Sequence, residues 1–244
     1  MYKLTIITPS HINHVGLINL YKQIEPVLCE AVTWTIKDSG ACVLTGEWGK
    51  TLNNSNIKFI TGLDDGIYNA LNIALEECKS DFYLVVGADD SINSISIIEI
   101  KRLLLSGALE YIDIASFPIL IQGAVFIKKR FYPTFISISG LISSHSVGTL
   151  IRRSLHDYIG LYNERYKILA DALFIRKAYQ YGAKFGYYKY PVIGTFSTSG
   201  ISSTEHANRI LEAYSYNVAC GDSKLLQAIL MFLRVIKFRP TSFF

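Results

Sequence analysis

Two adjacent aspartates, Asp89 and Asp90, are the residues whose type and setting most clearly suggest chemistry. They follow Phe82 to Ala88, an almost continuous apolar run rich in β-forming residues, which predicts a strand buried on both faces of a mainly parallel sheet. Ligands of open α/β sheets bind beyond the carboxyl ends of the strands, so this pair is placed to hold a divalent cation and a phosphate. The alternative is that the pair caps the following helix.

Two further aspartates stand at the boundaries of predicted elements. Asp38 ends a predicted strand and precedes Ser39 and Gly40, so it either forms a turn or presents a carboxylate at the strand end. Asp171 precedes an apolar run at helical spacing that ends at Gly182, so one alternative is that it caps this helix. A helix N-terminus would also lower the pKa of its carboxyl group.

The elements that must position these side chains alternate between strands and helices. Apolar residues at helical spacing from Ile67 to Cys78 predict a helix, with Asp65 as its N-cap. Alternation of strands and helices, with polar or acidic loops after the strands, is typical of a nucleotide-binding α/β half. Further along, Ile119 to Lys129 predicts one long strand. The early strands are predicted at Leu4–Thr8, which breaks at Pro9, and at Val32–Lys37, Ile57–Thr61 and Phe82–Ala88.

Composition limits the class of protein. A chain of 244 residues, half of them hydrophobic, is long enough for one α/β domain with a small appendage. Its four cysteines have no metal-ligand spacing, which favours reduced core thiols and a reducing compartment. There is no signal peptide pattern and no run near the roughly 18 apolar residues that a membrane span needs. We therefore expect a cytoplasmic protein.

Common nucleotide-binding fingerprints are absent from the sequence. No GxGxxG pattern occurs, and Gly49-Lys50-Thr51 only mimics a P-loop, because Leu44 stands where the first glycine is required. Dehydrogenase and P-loop ATPase functions are therefore disfavoured.

The C-terminal segment from Lys224 to Phe244 combines apolar and basic residues. It holds four basic residues and no acidic one, which equals the net charge of +4 of the whole chain. An apolar helix with basic residues toward its end is typical of a helix lying on an anionic membrane surface. The alternative is a helix packed on the domain. Nucleic acid is not an expected partner, because no basic stripe interleaves with aromatic residues elsewhere.

Between Met1 and Ser203 the chain carries a series of short segments that occur together, in the same order, in one enzyme family. The most specific is the GIY-NALN pattern within Asp65–Asn72. The others are Thr8-Pro9, Asp38-Ser39-Gly40, Gly87–Asp90, Ser144–Val147, Ile151–Leu155, Ile159–Glu164 and Leu169–Ala178. Through these segments the chain resembles the family 2 glycosyltransferases with the GT-A fold, in particular those of bacterial O-antigen and exopolysaccharide gene clusters.

The resemblance implies an α/β GT-A fold, in which helices flank a mainly parallel central sheet, and the residue pattern from Lys224 onward adds a C-terminal amphipathic helical tail. Residues 1–203 would form the glycosyltransferase domain, with a donor nucleotide half (1–90) and an acceptor half (91–203). Residues 204–244 would form C-terminal helices that associate with a membrane. Within the acceptor half, the long strand from Ile119 would form part of the acceptor-side wall.

The resemblance also implies roles in donor binding. Asp38 corresponds to the residue that accepts from the pyrimidine ring N–H, which points to a UDP-sugar, and Pro9 and Asp65 belong to the same pocket. Asp89 and Asp90 would hold Mn²⁺ or Mg²⁺ against the diphosphate, with Asp89 favoured as the direct ligand. Gly87 stands where the family has an acid that contacts the ribose.

On the acceptor side, inverting transfer requires a carboxylate that takes the proton of the acceptor hydroxyl, and Asp171 is the expected base. Leu173 stands where the family often has a second acid. His145, Arg152 and Arg153 are candidates for binding the acceptor or a phosphate, with ordinary loop or surface roles as the alternative. A segment from Phe196 to Ser203 resembles a loop near the donor site and is expected to form a mobile flap.

The predicted function is that of an inverting, metal-dependent hexosyltransferase. It would move a sugar from a UDP-sugar to a saccharide on a lipid such as undecaprenyl diphosphate, in O-antigen, lipopolysaccharide or exopolysaccharide synthesis. It would work as a peripheral protein on the inner face of the cell membrane. The alternative is a catalytically silent GT-A domain that serves as a binding or assembly subunit, because acids are missing at Gly87 and Leu173. A nucleotidyltransferase is a weaker third possibility, since its usual glycine-rich phosphate loop is not seen.

Overall fold

A seven-stranded sheet forms the centre of the computed structural model, which describes residues 2–127, 133–143, 145–198 and 205–237. The strands are Leu4–Ser10 (β1), Val32–Asp38 (β2), Ile57–Thr61 (β3), Phe82–Val85 (β4), Ser91–Ile92 (β5), Ile114–Ser116 (β6), Ile119–Ile121 (β7), Ala124–Phe126 (β8), Thr149–Arg152 (β9), Phe185–Tyr187 (β10) and Gly194–Phe196 (β11). The order in the central sheet is β10-β6-β9-β4-β1-β2-β3. Only β9 runs antiparallel to its neighbours β4 and β6.

Helices cover both faces of this sheet. They are His14–Ile24 (α1), Val43–Thr51 (α2), Ile67–Glu76 (α3), Ser94–Leu105 (α4), Leu155–Ile159 (α5), Ala170–Gln180 (α6), His206–Ala219 (α7) and Lys224–Lys237 (α8). Successive residues of β1 point to opposite faces. Ile6 packs in one core cluster with α1 and α4, whereas Ile7 packs in the other with α3 and α6. Burial on both faces explains why β1 has no apolar–polar alternation.

A second sheet of four strands, in the order β5-β11-β7-β8, contains the largest departure from the sequence-based expectations. The single long strand predicted from Ile119 to Lys129 is wrong. The chain instead reverses at Gln122 and Gly123, and β7 and β8 pair as an antiparallel hairpin. Both turn residues have positive φ, as a tight hairpin turn requires. Residues 128 and 129 lie outside the described part of the chain.

Hydrogen bonds attach the C-terminal helices to the domain. Three consecutive carbonyl groups, those of residues 134–136, accept in order from Arg176 of α6 and from Gln227 and Arg234 of α8. Arg176 also forms a buried ion pair with Asp222 in the turn between α7 and α8. Among the described residues, no helix combines the length and apolar character that crossing a bilayer demands.

A buried polar chain lies between the sheet and α6. Because the carbonyl oxygen of Gly160 can only accept, the Nδ1 atom of His156 donates to it, and Nε2 accepts from the Tyr83 hydroxyl. The Tyr83 oxygen in turn accepts from Tyr162. The His156 ring stacks on Phe174, and burial lowers the pKa of this histidine to about 4. The neutral imidazole is therefore part of the folded core.

This burial predicts a loss of stability in mild acid. The folded-state pKa of His156 lies below the unfolded value of about 6.5, so its contribution is complete above pH 6.5 and declines as the pH falls toward 4. Between pH 7.5 and pH 5 this one group should remove about 2 kcal/mol from the free energy of unfolding. Urea unfolding at both pH values measures it. The double variant His156→Phe/Tyr83→Phe lacks the titrating histidine and its hydroxyl partner, so it should lose about 2 kcal/mol less over the interval. Equal losses would contradict the prediction.

Candidate functional site

The site is built at the carboxyl edge of the central sheet. β1 and β2 end side by side, with Ser10 paired to Asp38, and β4 ends beside β1. Because β9 is antiparallel to β4, its first residues, rather than its last, reach this edge. Residues 145–148, which precede β9, therefore lie at the same edge as Asp89 and Asp90.

Asp89 and Asp90 lie in a tight turn after β4, in which the Asp90 amide donates to the carbonyl of Gly87. The Asp90 carboxylate is half-buried and accepts from the amides of Ser197 and Gly87. Burial, aided by the charge of Asp89, raises the pKa of Asp90 to about 7. Asp89 is exposed at the surface. The pair does not cap the following helix, because Asn93 is the N-cap of α4.

Gly87 leaves the space that the two carboxylates occupy. A Cβ atom at this position would stand 2.7 Å from Oδ1 of Asp89 and 2.9 Å from Oδ2 of Asp90. Any side chain here would displace both acids. The close approach of both carboxylates to the backbone is therefore possible because residue 87 is a glycine.

The residues present fit a divalent cation that arrives with a phosphate ligand. Within the described ranges, no group of three or more His, Cys, Asp or Glu side chains forms a preformed metal cage. Mg²⁺ and ions like it are often bound by one or two carboxylates together with water and substrate phosphates. Asp89 is exposed and available for such a role, whereas Asp90 is held by two backbone amides.

The Asp38 carboxylate has one oxygen that accepts a hydrogen bond and one that has no hydrogen-bond partner among the described residues. Its Oδ2 atom accepts from the Gly40 amide, so the turn-forming role expected from the sequence is present. Its Oδ1 atom is fully buried and has no hydrogen-bond partner among the described residues, and the same holds for Oγ of the paired Ser10. Buried polar atoms normally have partners, so this pair of orphaned atoms marks a place for a ligand. Pro9 is buried next to Ser10 at the end of β1.

A buried ion pair that sequence reasoning missed holds this corner in place. Lys37, almost fully buried in β2, bonds Asp64 at 2.9 Å. The same ammonium donates to the carbonyl groups of Gly62 and Asp38. It therefore ties the loop after β3 to the end of β2. The only signal in the sequence is a lysine within a mostly apolar strand.

Asp65 lies at the rim of a pocket rather than at a helix cap. It is exposed, its carbonyl group accepts from Lys167, and Gly66 is the N-cap of α3. The pocket has a volume of about 200 Å³ and lies between the start of α3 and the loop before α6. It is lined by Asp65, Gly66, Ile67, Tyr68, Asn69, Glu164, Lys167, Ile168 and Glu205.

Asp171 lies in the first turn of α6 and faces α3. The N-cap of this helix is Leu169, so the expected capping role of Asp171 is wrong. Its Oδ1 atom accepts from the Tyr68 hydroxyl and from the Ala172 amide, both at 2.8 Å. Burial raises the pKa of Asp171 although both hydrogen bonds oppose the shift. The lowered pKa expected from the helix N-terminus is therefore also wrong, because desolvation outweighs it.

Side chains of α3 dock onto the segment before α6. The Asn72 amide exchanges hydrogen bonds with the backbone of Tyr162, and it also donates to Glu164. Asn69 donates to the same carboxylate. Two segments that are 90 residues apart in sequence are thus held together, which orients the Tyr68 hydroxyl toward the candidate base.

Glu212 of α7 fixes the backbone just before Asp171. Its carboxylate accepts from the three consecutive amides of residues 167–169, at 2.7 to 2.9 Å. These amides precede or begin α6, where donors have no partner within the helix. Nothing in the sequence pattern points to Glu212, since its partners are backbone groups far away in the chain.

His145 joins the Asp90 side of the site. Its ring stacks on Phe196 with ring centroids 3.6 Å apart, and the next residue, Ser197, bonds Asp90. Burial lowers the pKa of His145 to about 4, so the ring is neutral at pH 7. Ser144 and residues 199–204, which include most of the expected flap, lie outside the described residues.

Arg152 and Arg153 are not brought to this edge. Arg152 pairs with Phe82, the first residue of β4, whereas Asp89 and Asp90 follow the end of that strand. Its guanidinium group lies over the Phe82 ring and donates to three carbonyl groups before β6. Arg153 pairs with Asp157 on α5. The structure therefore contradicts the expected phosphate-binding role of both arginines at the site.

Comparisons by sequence identify no relatives, since no family model and no curated protein matches this chain. Solved structures match it over nearly its whole length. Residues 1–349 of S. aureus TarS superpose with a TM-score of 0.66 at 16% identity, covering 98% of this chain and 73% of that one. The same protein has been solved with UDP-GlcNAc.

Two other matching structures contain a nucleotide and manganese. The mannosyltransferase PcManGT of Pyrobaculum calidifontis, in complex with GDP-Man and Mn²⁺, gives a TM-score of 0.64 at 16% identity over 97% of this chain and 70% of that one. Glucosyl-3-phosphoglycerate synthase of Mycobacterium tuberculosis, with Mn²⁺, UDP and glucosyl-3-phosphoglycerate, gives 0.63 at 12% identity over 91% and 81%. The expected GT-A fold is thereby confirmed.

The contact between Tyr68 and Asp171 gives a testable electrostatic prediction. Tyr68→Phe removes a donor to the ionised carboxylate, so the pKa of Asp171 should rise further, and stability should fall by about 1 kcal/mol. Carboxyl ¹³C NMR titration and urea unfolding measure the two effects. Tyr83→Phe, which removes a buried hydroxyl with no hydrogen bond to Asp171, is the matched control. An Asp171 pKa that does not move in Tyr68→Phe would contradict the assignment.

Proposed function

We propose that this protein is an inverting, metal-dependent glycosyltransferase that moves a hexose from a UDP-sugar to a saccharide carried on a lipid diphosphate. The observation that carries the proposal is the buried unsatisfied acceptor on Asp38 at the sheet edge where the acidic turn at Asp89 and Asp90 also lies. The half-buried carboxylate of Asp171, held by the Tyr68 hydroxyl from the first turn of α3, adds a candidate base. The GT-A fold, shared with proteins solved with UDP-GlcNAc, GDP-Man and UDP, supports a nucleotide-sugar donor.

The uracil ring is the donor group that best satisfies the corner between β1 and β2. Its ring N–H would donate to Oδ1 of Asp38, and a ring carbonyl would accept from Oγ of Ser10. The correspondence of Asp38 with the family residue that accepts from the pyrimidine ring N–H supports UDP as the carrier.

Asp89 would be the direct ligand of Mn²⁺ or Mg²⁺, and Asp90 would orient the turn through its two amide partners. The bound cation would neutralise the charge that develops on the leaving diphosphate. Because Asp90 already accepts from Ser197 and Gly87, it holds the turn in one geometry and leaves Asp89 facing the diphosphate. The ribose contact that the family makes with an acid at position 87 is absent in this chain.

Asp171 would take the proton of the acceptor hydroxyl as that hydroxyl attacks the anomeric carbon from the face opposite the diphosphate. Its raised pKa, caused by burial, makes it a stronger base than an ordinary aspartate. The Tyr68 hydroxyl stays protonated, because burial raises the pKa of this tyrosine well above its usual value. It therefore remains a donor that fixes the rotamer of the base.

A lipid-linked saccharide as acceptor, and a role in O-antigen or exopolysaccharide synthesis, are supported by the sequence segments shared with that group of glycosyltransferases. The pocket lined by Tyr68, whose hydroxyl contacts Asp171, offers a place for the acceptor sugar. A silent GT-A domain is the competing function, favoured by the lack of acids at Gly87 and Leu173. Turnover measurements separate the two.

Metal-dependent turnover is the first test. Purified protein, incubated with a panel of UDP-sugars and Mn²⁺, should release UDP, and EDTA should abolish the release until Mn²⁺ is restored. Asp89→Asn should reduce the rate by about 100-fold or more, since it removes the proposed ligand. The exposed Asp157→Asn serves as the control because its partner is Arg153 on the opposite edge. No metal-dependent turnover with any UDP-sugar, in the presence of a synthetic lipid diphosphate saccharide, would favour the silent domain.

Asp171→Asn tests the base. It should lower the transfer rate by about 10²- to 10⁴-fold, while UDP affinity measured by calorimetry stays unchanged. In the unmodified protein the transfer rate should fall with decreasing pH as Asp171 becomes protonated, starting at a higher pH than for an ordinary aspartate. Appreciable transfer by Asp171→Asn would exclude this residue as the base.

A further inference from the structure

Helix α8 packs with Gln227 and Arg234 facing the domain and with most of its large apolar side chains facing outward. Gln227 is fully buried and donates to the carbonyl of Phe135, and Arg234, seven residues later, donates to that of Ile136. Residues spaced by seven lie on one face of a helix. Polar side chains therefore take part in the contact with the domain, together with the partly buried Leu230 and Met231 on the same face.

The opposite face of α8 is a continuous apolar stripe, here named the outer stripe. Its members recur at helical spacing and are between 50% and 73% exposed, which is unusual for side chains of this size. The outer stripe consists of Leu225, Ile229, Phe232, Leu233 and Ile236. Exposing a continuous apolar face to water is unfavourable in free energy. Such a face therefore indicates a surface that a partner covers when the protein is active.

The direction of α8 brings its last turn toward the candidate site. Glu212 of α7 contacts the start of α6, and Cys220 after α7 contacts Gln180 at the end of α6. Helices α6 and α7 therefore run in the same direction. Because a short turn joins α7 to α8 and the two helices pack together, α8 runs back antiparallel to α7, and its C-terminal end points in the direction of the Asp171 end of α6.

Charge selects the partner that covers the outer stripe. Lys224 to Phe244 contains four basic residues and no acidic residue. A second copy of the chain would bring two such basic helices face to face, which is repulsive. An anionic lipid surface complements the charge and accepts the apolar side chains at the same time.

We propose that the outer stripe docks in the plane of an anionic membrane surface and holds the candidate site beside the lipid. This deepens the proposed function, on which the link to a lipid-borne acceptor rests. With α8 in the interface, the start of α6 and the pocket beside Asp171 are close to the lipid surface, where the first sugars of a lipid-linked saccharide are found. Docking restricts the search for acceptor to two dimensions.

Vesicle co-sedimentation of the full chain tests docking without any need for turnover. The protein should bind vesicles that contain phosphatidylglycerol, bind pure phosphatidylcholine vesicles more weakly, and lose affinity as salt is added. The triple variant Ile229→Ser/Phe232→Ser/Ile236→Ser should reduce the binding by at least about tenfold, since three apolar side chains no longer leave water. Circular dichroism and UDP binding should be unchanged, because these side chains point away from the domain.

A matched triple variant controls for general loss of exposed apolar surface. Leu105→Ser/Tyr111→Ser/Tyr158→Ser changes three exposed residues outside α8 and should leave vesicle binding within about twofold. No binding of the unmodified chain to anionic vesicles, or equal losses in both triple variants, would overturn the proposal. So would a concentration-dependent dimer in analytical ultracentrifugation that the α8 variant converts to a monomer, since a second copy would then cover the stripe.

Failure of the proposed function can be distinguished from failure of membrane docking. Vesicle binding by Asp171→Asn should equal that of the unmodified protein, whatever its turnover. UDP release in solution reports on the reaction without vesicles. A protein that binds vesicles but never turns over a UDP-sugar would retain the docking surface and lose the enzymatic proposal.

Discussion

The parallel pairing of β1 with β2 and β4 is the constraint on which the rest of the site depends. Parallel strands deliver their carboxyl ends to one edge, so Ser10, Asp38 and the turn after β4 meet although they are far apart in sequence. The pairing is possible because β1 is buried on both faces and each face has its own helical cover. Without this central strand, neither the orphaned acceptor of Asp38 nor the acidic turn would have a neighbour.

Around this edge, electrostatic balance is set by burial more than by ion pairing. Asp90 and Asp171 both have raised pKa values because they are desolvated, and each is kept in place by amide or hydroxyl donors rather than by a cationic side chain. Lys37 does form an ion pair near the site, with Asp64, but this pair holds the loop after β3 rather than Asp90 or Asp171. Such an arrangement leaves negative charge available to a cation or a proton from a bound ligand.

Some of this organisation could be read from the sequence and some could not. The buried strands and the acidic turn were predictable, because apolar runs and their end residues are local signals. The hairpin at Gln122 was missed, since its Gln-Gly turn lacks the stronger Asn-Gly or Asp-Gly signal and β-forming apolar residues stand on both sides of it. Glu212 was unpredictable, because it acts on backbone amides brought close only by the tertiary fold. Arg152 was misread because a family position does not reveal which end of a reversed strand faces the ligand.

Strand β9 runs opposite to β4 and β6, so the two parts of the sheet edge carry different kinds of loop. Between β1 and β4 every loop that reaches the edge follows a strand, and each is short and tied to the sheet. Between β6 and β9 the chain reaches the edge before β9 begins, so the β7–β8 hairpin and the segment that carries His145 form one long connection between two strands of the central sheet. Changes in the length or composition of that connection leave the register of β1, β2 and β4 untouched. The surface around His145 can thus change while the corner between Ser10 and Asp38 stays the same.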